Sequence, residues 1–564
     1  MSKFSKRGNA VVALLLFFPF LVNLEAQEVK DAIKLTKSEQ FAAASSMFKK
    51  LIQQNPNDGD IYYYFGRNLL DKYYSDTLNV SFKEKTDSAQ AIYNMGIKQD
   101  PSNPINYIGL GGLSLIKKDL PQAKTYFASA MALMPSKANK AIKMLPARQA
   151  KLLIQIAESY VNANINDTAA VFLSLRTAGD LDKNNPDLYI VQGDVYFNLL
   201  NDGSKAITNY NMASVLDPKS PEAKLRIGLL WLRARQYNNA LNYYQEVVKM
   251  DSTFAPAYRE LGSLLSRAGR PEEAKKNFAK FLELSRNTSA RKQFVNILID
   301  LKDYSEAIAQ LNEIQKVDLS DNDVNRALAY SYFEIQKYDS GLAYSRKFFK
   351  NATPEKIRST DYVYYGRLLS KLKIDSLAPE QLLKAYSLDT AKADLISEAA
   401  LSWTRVKKYD KARELYEMKI NLKKGGAMDY YNLGKVYYSM QDYTKADTNL
   451  AIFNMLQPEY VQGWVWRARA KSNLDPDSKQ GLAKPIYDII LEKTREDTAK
   501  YSKERVEALY FLAFYNFLQY NQTKNKEFAI KAVEYGSRIN AIDPKDDKAE
   551  KAKQIMDVLK DKVK

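Results

Sequence analysis

Residues 433–458 read LGKVYYSMQDYTKADTNLAIFNMLQP, and this stretch decides the fold. Leu433, Gly434 and Tyr437 fall at helical spacing, and so do Ala446, Leu450 and Phe453. Apolar residues recurring at three- and four-residue intervals mark the buried face of a helix. Pro458 closes the second run, as a residue without a backbone N–H must. The segment is therefore two helices joined by a short turn. Small residues sit where the two cross closely, and large ones fill the groove a neighbour leaves open.

The same spacing recurs along the chain. It returns in Leu110-Gly111, Ala123, Phe127, Ala130 and Pro135, with Ser114 where the tyrosine would stand. Ile227-Gly228, Trp231, Ala240, Tyr244 and Val247 repeat it, and Leu261-Gly262, Leu265, Ala274 and Phe278 follow 34 residues later. A fifth copy is Tyr365-Gly366, Leu369, Ala378, Leu382 and Ala385. Weaker copies lie in phase between these, for example Gly193, Tyr196, Ala206, Tyr210, Ala213 and Pro218. Two copies carry insertions, one expected as a loop over Asp71–Ser88, the other at Asp475-Pro476-Asp477-Ser478.

In these residues the chain resembles the tetratricopeptide repeat family over nearly its whole length, in about 14 units. The resemblance implies an all-α fold, a right-handed superhelical α-solenoid of helix-turn-helix units with a concave inner groove. Each helix pair alone leaves an apolar face open, so stacking supplies the stability and a terminal cap is needed. Residues 546–564 supply one, with Ala549, Ala552, Ile555, Met556 and Leu559 on one face. The expected divisions are a signal peptide over 1–26, an N-terminal block over 27–135, a main block over 136–545, and the cap. A joint is expected over Ser136–Leu153.

The signal reading rests on Lys3, Lys6 and Arg7, then an apolar stretch from Ala10 to Leu24, then Ala26 before Gln27. Pro19 interrupts that stretch, which is shorter than the ~20 residues a membrane span needs. The protein is expected to be exported, periplasmic or associated with the outer membrane, with no transmembrane span once the signal is cleaved. It has the character of exported repeat proteins of the Bacteroidota.

Neither cysteine nor histidine occurs. This excludes disulfides, thiolate nucleophiles and lipid-modified cysteine, and removes the commonest general base and transition-metal ligand. The net charge of +18 becomes +16 without the first 26 residues, which hold three basic residues and one acid. Such a surplus attracts acidic partners; export argues against nucleic acid. Gly109-Leu110-Gly111-Gly112 looks like a phosphate loop but falls inside a repeat's first helix. No catalytic residue, metal site or cofactor is expected, and the chain reads as non-enzymatic.

In the tetratricopeptide family, ligands usually lie in the groove lined by first helices. Carried over, the resemblance places partner-binding residues at Arg67, Arg259, Arg267, Arg326, Tyr330, Arg367, Lys371, Arg405, Lys435, Tyr438 and Arg469. A lining of Arg, Lys and Tyr suits acidic peptide segments, through charge-assisted hydrogen bonds and stacking. Sequences such as Asp87-Ser88-Ala89, Asp167-Thr168-Ala169 and Asp389-Thr390-Ala391 look like O-glycosylation acceptors of exported Bacteroidota proteins, expected in turns. The leading function is a protein–protein interaction scaffold of the cell envelope, peripherally associated with it. The alternative is a glycan- or nutrient-binding accessory of an outer-membrane uptake system.

Overall fold

The structure, a computed structural model, describes residues 27–76, 82–137 and 139–563. The expected signal segment and, within the insertion expected over Asp71–Ser88, residues 77–81 lie outside the described residues. Among those residues there is no strand, and helices follow one another in antiparallel pairs. Tyr443–Leu456 packs back on Ala427–Ser439, and Pro271–Ser285 on Ala255–Arg267, as the quoted stretch and its 34-residue neighbours predict.

The repeat's small residue is required by distance. A Cβ on Gly228 would lie 2.5 Å from the Tyr244 ring, on Gly111 2.4 Å from Phe127, and on Gly434 2.6 Å from Leu450. In each case the intruding side chain stands sixteen positions after the glycine, so one helix drives its largest residue into the other's notch. Tyr244 and Phe278 are fully buried wedges of this kind, Tyr93 and Tyr210 fill the notches of Gly66 and Gly193 at longer spacings, and Phe453 packs instead against Gly463 of the next helix.

The turn between paired helices carries a second signature. Arg235, Gly269, Lys302, Gln336, Lys373, Lys407 and Gln441 all have left-handed backbone, with φ between 58° and 71°. They recur at about the repeat period, each just after a first helix, where the chain must reverse without extending the helix. Aspartates such as Asp119, Asp303 and Asp442 then accept from the third backbone N–H of the second helix, satisfying a donor that has no partner within the helix.

Two compact units divide at Val324/Asn325. In the first, one core cluster extends from Tyr63 to Val195, with members on both sides of and within Ser136–Leu153, where the sequence suggested a joint. Among the described residues, 136–137 and 139–145 form an irregular connection. Beside it lies an outward groove of about 490 Å³ lined by Phe127, Met131, Met134, Leu153, Tyr160 and Leu173.

One expectation is overturned. Asp71–Ser75 and Phe82–Ser88 are not looped out: Gly59–Ser75 and Phe82–Gln99 are helices of 17 and 18 residues, and the insertion lengthens both of them. The wedge still lands, since a Cβ on Gly66 would be 2.3 Å from Tyr93. Helix extension satisfies backbone groups within the chain that a long loop would leave to water.

In the second unit, the insertion after Leu474 is irregular, and the Asp475 carboxylate organises it. It accepts the backbone N–H groups of Gln480, Gly481 and Leu482 at 3.1, 2.7 and 3.3 Å. The last helix, Asp547–Leu559, buries Ala549, Ala552, Ile555 and Leu559, as a cap should. No helix among the described residues is long and apolar enough to cross a membrane.

Candidate partner-binding surface

In the first unit, the inner helices Gly59–Ser75, Pro146–Asn162, Pro186–Asp194, Pro221–Arg233 and Ala255–Arg267 surround a cavity of about 670 Å³ and its smaller extension. Arg67 projects into it and grips Glu158 with two hydrogen bonds of 3.1 Å. Burial opposes the charge on Arg67, but Glu158 and Asp71 outweigh it and hold the guanidinium above its ordinary range. Burial likewise works against the Glu158 carboxylate, yet Arg67 keeps it below the usual glutamate range. Asp71 differs: burial pushes its carboxyl up, and Arg67 only partly offsets this at 3.9 Å.

Arg259 reaches the same cavity, where it bonds Glu39 and, at 3.0 Å, Glu260. Arg226 bonds the Asp194 carboxylate at 2.7 and 3.0 Å, and the Tyr210 hydroxyl donates to that carboxylate at 2.7 Å. Just beyond Asp194 the helix loosens into a π-turn over Val195–Leu199. Arg267, predicted for the groove, is exposed at its helix end and is not in the cavity. Opposite charges are interleaved here, so this interior is not the basic trough that the net charge suggested.

The second unit places its predicted residues in two clusters and three separate positions. Arg326 and Tyr330 converge on Asp361, whose side chain is 1% exposed. Arg326 bonds it at 2.9 Å, the Tyr330 hydroxyl donates to it, and so does the Arg358 backbone N–H at 2.7 Å. Tyr330 also stacks on Tyr364, with ring centroids 4.0 Å apart. Arg367 makes two bonds to Glu398 at 2.9 and 2.7 Å, and Arg405 two to Asp375 at 2.9 and 2.6 Å. Lys371 is exposed, near the Tyr338 ring.

The other cluster gathers on Trp466. The Lys435 ammonium lies 5.1 Å from the Tyr431 ring centre and 5.3 Å from that of Trp466. Tyr438 meets Trp466 edge-on at 5.2 Å, and Arg469 sits 5.1 Å from the same ring while bonding Glu507. Among the described ion pairs Lys435 has none, and burial pulls its ammonium below the ordinary lysine range. The arrangement is an aromatic shelf bearing one cation whose charge no neighbour neutralises.

Sequence reasoning found the cations and missed their acidic partners. In the second unit the signal was present: Asp361, Glu398 and Glu507 follow their arginines by 35, 31 and 38 residues, about one repeat. In the first unit Arg67 and Glu158 are 91 residues apart, with no periodic cue. The expected sugar acceptors divide as well: Thr168 begins a helix and Thr390 is in a turn, but Ser88 lies within Phe82–Gln99 and donates to the Glu84 carbonyl.

Paired helices stacked through a glycine notch, with an inner face of charged and aromatic side chains, define a helical-repeat interaction solenoid. A family profile for the tetratricopeptide repeat matches residues 225–280. The C-terminal part of a tetratricopeptide repeat-containing protein from Cytophaga hutchinsonii is 31% identical, covering 46% of this chain and 98% of that one, at a TM-score of 0.41. The chain belongs to the tetratricopeptide repeat family. A tetratricopeptide repeat protein from Parabacteroides merdae is 19% identical over 45% of this chain and 99% of its own, TM-score 0.28. YrrB, described as having an unusual peptide-binding site, is 20% identical over 31% and 91%, TM-score 0.28. No curated protein matches the chain. Proteins of this family generally bind other proteins and act as scaffolds rather than catalysts.

Proposed function

We propose that this protein is a non-catalytic scaffold of the cell envelope, periplasmic or held at the outer membrane, that gathers protein partners through acidic segments. The Lys435 shelf carries the reading. A cation against Tyr431 and Trp466, flanked by Tyr438 and Arg469, presents charge and ring faces together. A carboxylate arriving there gains a charge-assisted bond in a partly desolvated site, while apolar side chains beside it stack on the rings. The basic n-region and apolar stretch of residues 1–24 support export. Two features support the absence of catalysis. The chain lacks His and Cys, and the inner carboxylates named above are engaged by arginines or a tyrosine.

The test is affinity purification of the full chain from envelope extracts, beside Lys435→Glu. The expected outcome is a stoichiometric protein partner held by the wild type and released by the variant. Equal recovery from both, or recovery only from the cytosolic fraction, overturns the reading.

A further inference from the structure

The inner face of the first unit already has an occupant, and it comes from the same chain. The helix over residues 27–37 and the long pair behind it meet helices that begin nearly two hundred residues later. Lys34 pairs with Asp251 at 3.0 Å, and Lys37 with Glu222 at 2.9 Å and Asp187 at 3.8 Å. Glu39 bonds Arg259, and the Gln40 amide donates to the Thr253 carbonyl at 3.0 Å. At the other end, the Asn287 amide donates to the Ser75 carbonyl and hydroxyl, both at 2.9 Å.

The contact at Asp76 is the most specific. Its side chain belongs to a residue only 5% exposed and accepts the backbone N–H of Thr288 at 2.8 Å and of Ser289 at 2.9 Å. Those are first-turn donors of the helix Thr288–Asp300, which also has its own local cap in Asn287. A carboxylate at a helix N-terminus satisfies donors the helix cannot and meets the positive end of its dipole. Here the carboxylate arrives from 212 residues upstream, so the seat reads position, charge and helix polarity together.

We propose that residues 27–40 are an intramolecular clasp, held by Asp187, Glu222, Asp251, Thr253 and Arg259 of the same chain beside the fixed Asp76 contact, and that partners reach the cavity only when the clasp releases. Charge is interleaved across the seat, basic at 34 and 37 and acidic at 39 and 76, with the complementary signs opposite. A register shift therefore brings like charges together, which restricts the seat to one occupant.

The native protein can be tested directly, because carbodiimide joins only amines and carboxylates already in contact. Treatment of an equal mixture of ¹⁴N- and ¹⁵N-labelled full chains should give Lys34–Asp251 and Lys37–Glu222 linked peptides of unmixed label. The Lys471–Asp447 pair, 2.7 Å apart in the second unit, is the positive control. Mixed-label linkage would place a second copy in the seat and overturn the proposal; so would absence of both links while the control forms. Glu39→Arg should speed amide exchange over residues 27–37 about tenfold or more, as loss of a partly buried pair implies. Glu39→Arg with Arg259→Glu should restore it. Exchange that ignores both variants overturns the clasp even if the protein is folded.

Discussion

The two units use the same kind of residue, an arginine on a first helix, in different ways. In the second unit each arginine reaches about one repeat along, from Arg326 to Asp361, Arg367 to Glu398 and Arg469 to Glu507. In the first, Arg67 crosses 91 residues to Glu158 and Arg259 crosses 220 to Glu39. The local ladder stiffens a stack that is already continuous. The long-range pairs join parts of the chain far apart in sequence, alongside the shared core and the other contacts between them. Similar chemistry therefore links neighbouring repeats in one unit and distant ones in the other.

The contrast can be attacked first through packing, which should be equal in both units. Phe278→Ala and Phe453→Ala each empty a fully buried site and should cost about 3–5 kcal/mol, read as lost amide protection in the surrounding pair. A cost below about 1 kcal/mol for either would mean that neither the wedge in its own pair (Phe278 at Gly262) nor the packing onto the next helix (Phe453 at Gly463) holds the stack. Next come the ion pairs, which should be unequal. Arg67→Ala strands Glu158 in the cavity and should cost about 2 kcal/mol, below the value for a fully buried pair because both groups keep some exposure. Arg367→Ala breaks a pair with side chains 44% and 35% exposed and should cost about 0.5 kcal/mol or less. Equal effects in thermal melts would erase the distinction between the units.

Acidity should separate them in the same sense. Burial alone would raise the Glu222 carboxyl, but Lys37 and Arg226 hold it below the ordinary 4.5; Glu158 is held low by Arg67. A group whose folded value lies below its unfolded one stabilises fully above the unfolded value and loses that effect as pH falls through the folded value. Protection over residues 27–76 should therefore hold at neutral pH and fall once pH drops below about 4.5, with Glu222→Gln flattening the profile. A flat wild-type profile between pH 7 and 3 would contradict this. The smallest effect is expected at the turns. Gln441→Gly relieves a left-handed backbone at φ 64° and should stabilise by roughly 0.5 kcal/mol, since strain relief is partly offset by added unfolded-state freedom. Gly203→Ala, where a Cβ meets nothing within 4 Å, should stabilise by roughly 0.5 kcal/mol through the unfolded chain alone, which separates that term from strain relief.

What the sequence made legible follows from range. Gly434 and Leu450, or Gly228 and Tyr244, lie within one repeat, so their spacing alone announces the notch and its wedge. The cap at Ala549–Leu559 is legible for the same reason. The Asp71–Ser88 insertion was misread because eleven additional residues can enter as a loop or as turns of helix. Only the packing of Tyr93 against Gly66 requires the helices to continue. The inner face was half legible: first-helix positions located Arg326, Tyr330, Lys435 and Arg469, but charge balance depends on what faces them. Asp361 and Glu507 were one period away and could have been found by pairing charges at that interval. Glu39 and Asp76 could not, because their partners depend on how far the stack turns over some two hundred residues.

The bond between Asp76 and the amides of Thr288 and Ser289 sets an order of events during synthesis. Tying two points of an unfolded chain 212 residues apart costs conformational entropy that grows with the logarithm of the separation, several kcal/mol on that scale. If the intervening repeats have already stacked, nearly all of that ordering is complete and the ends arrive close together. The repeat that ends at Asp76 is made before its seat and can reach it only after the next 212 residues have followed. A chain stopped short of Thr288 would carry the Asp76 carboxylate without the Thr288 and Ser289 amides that receive it.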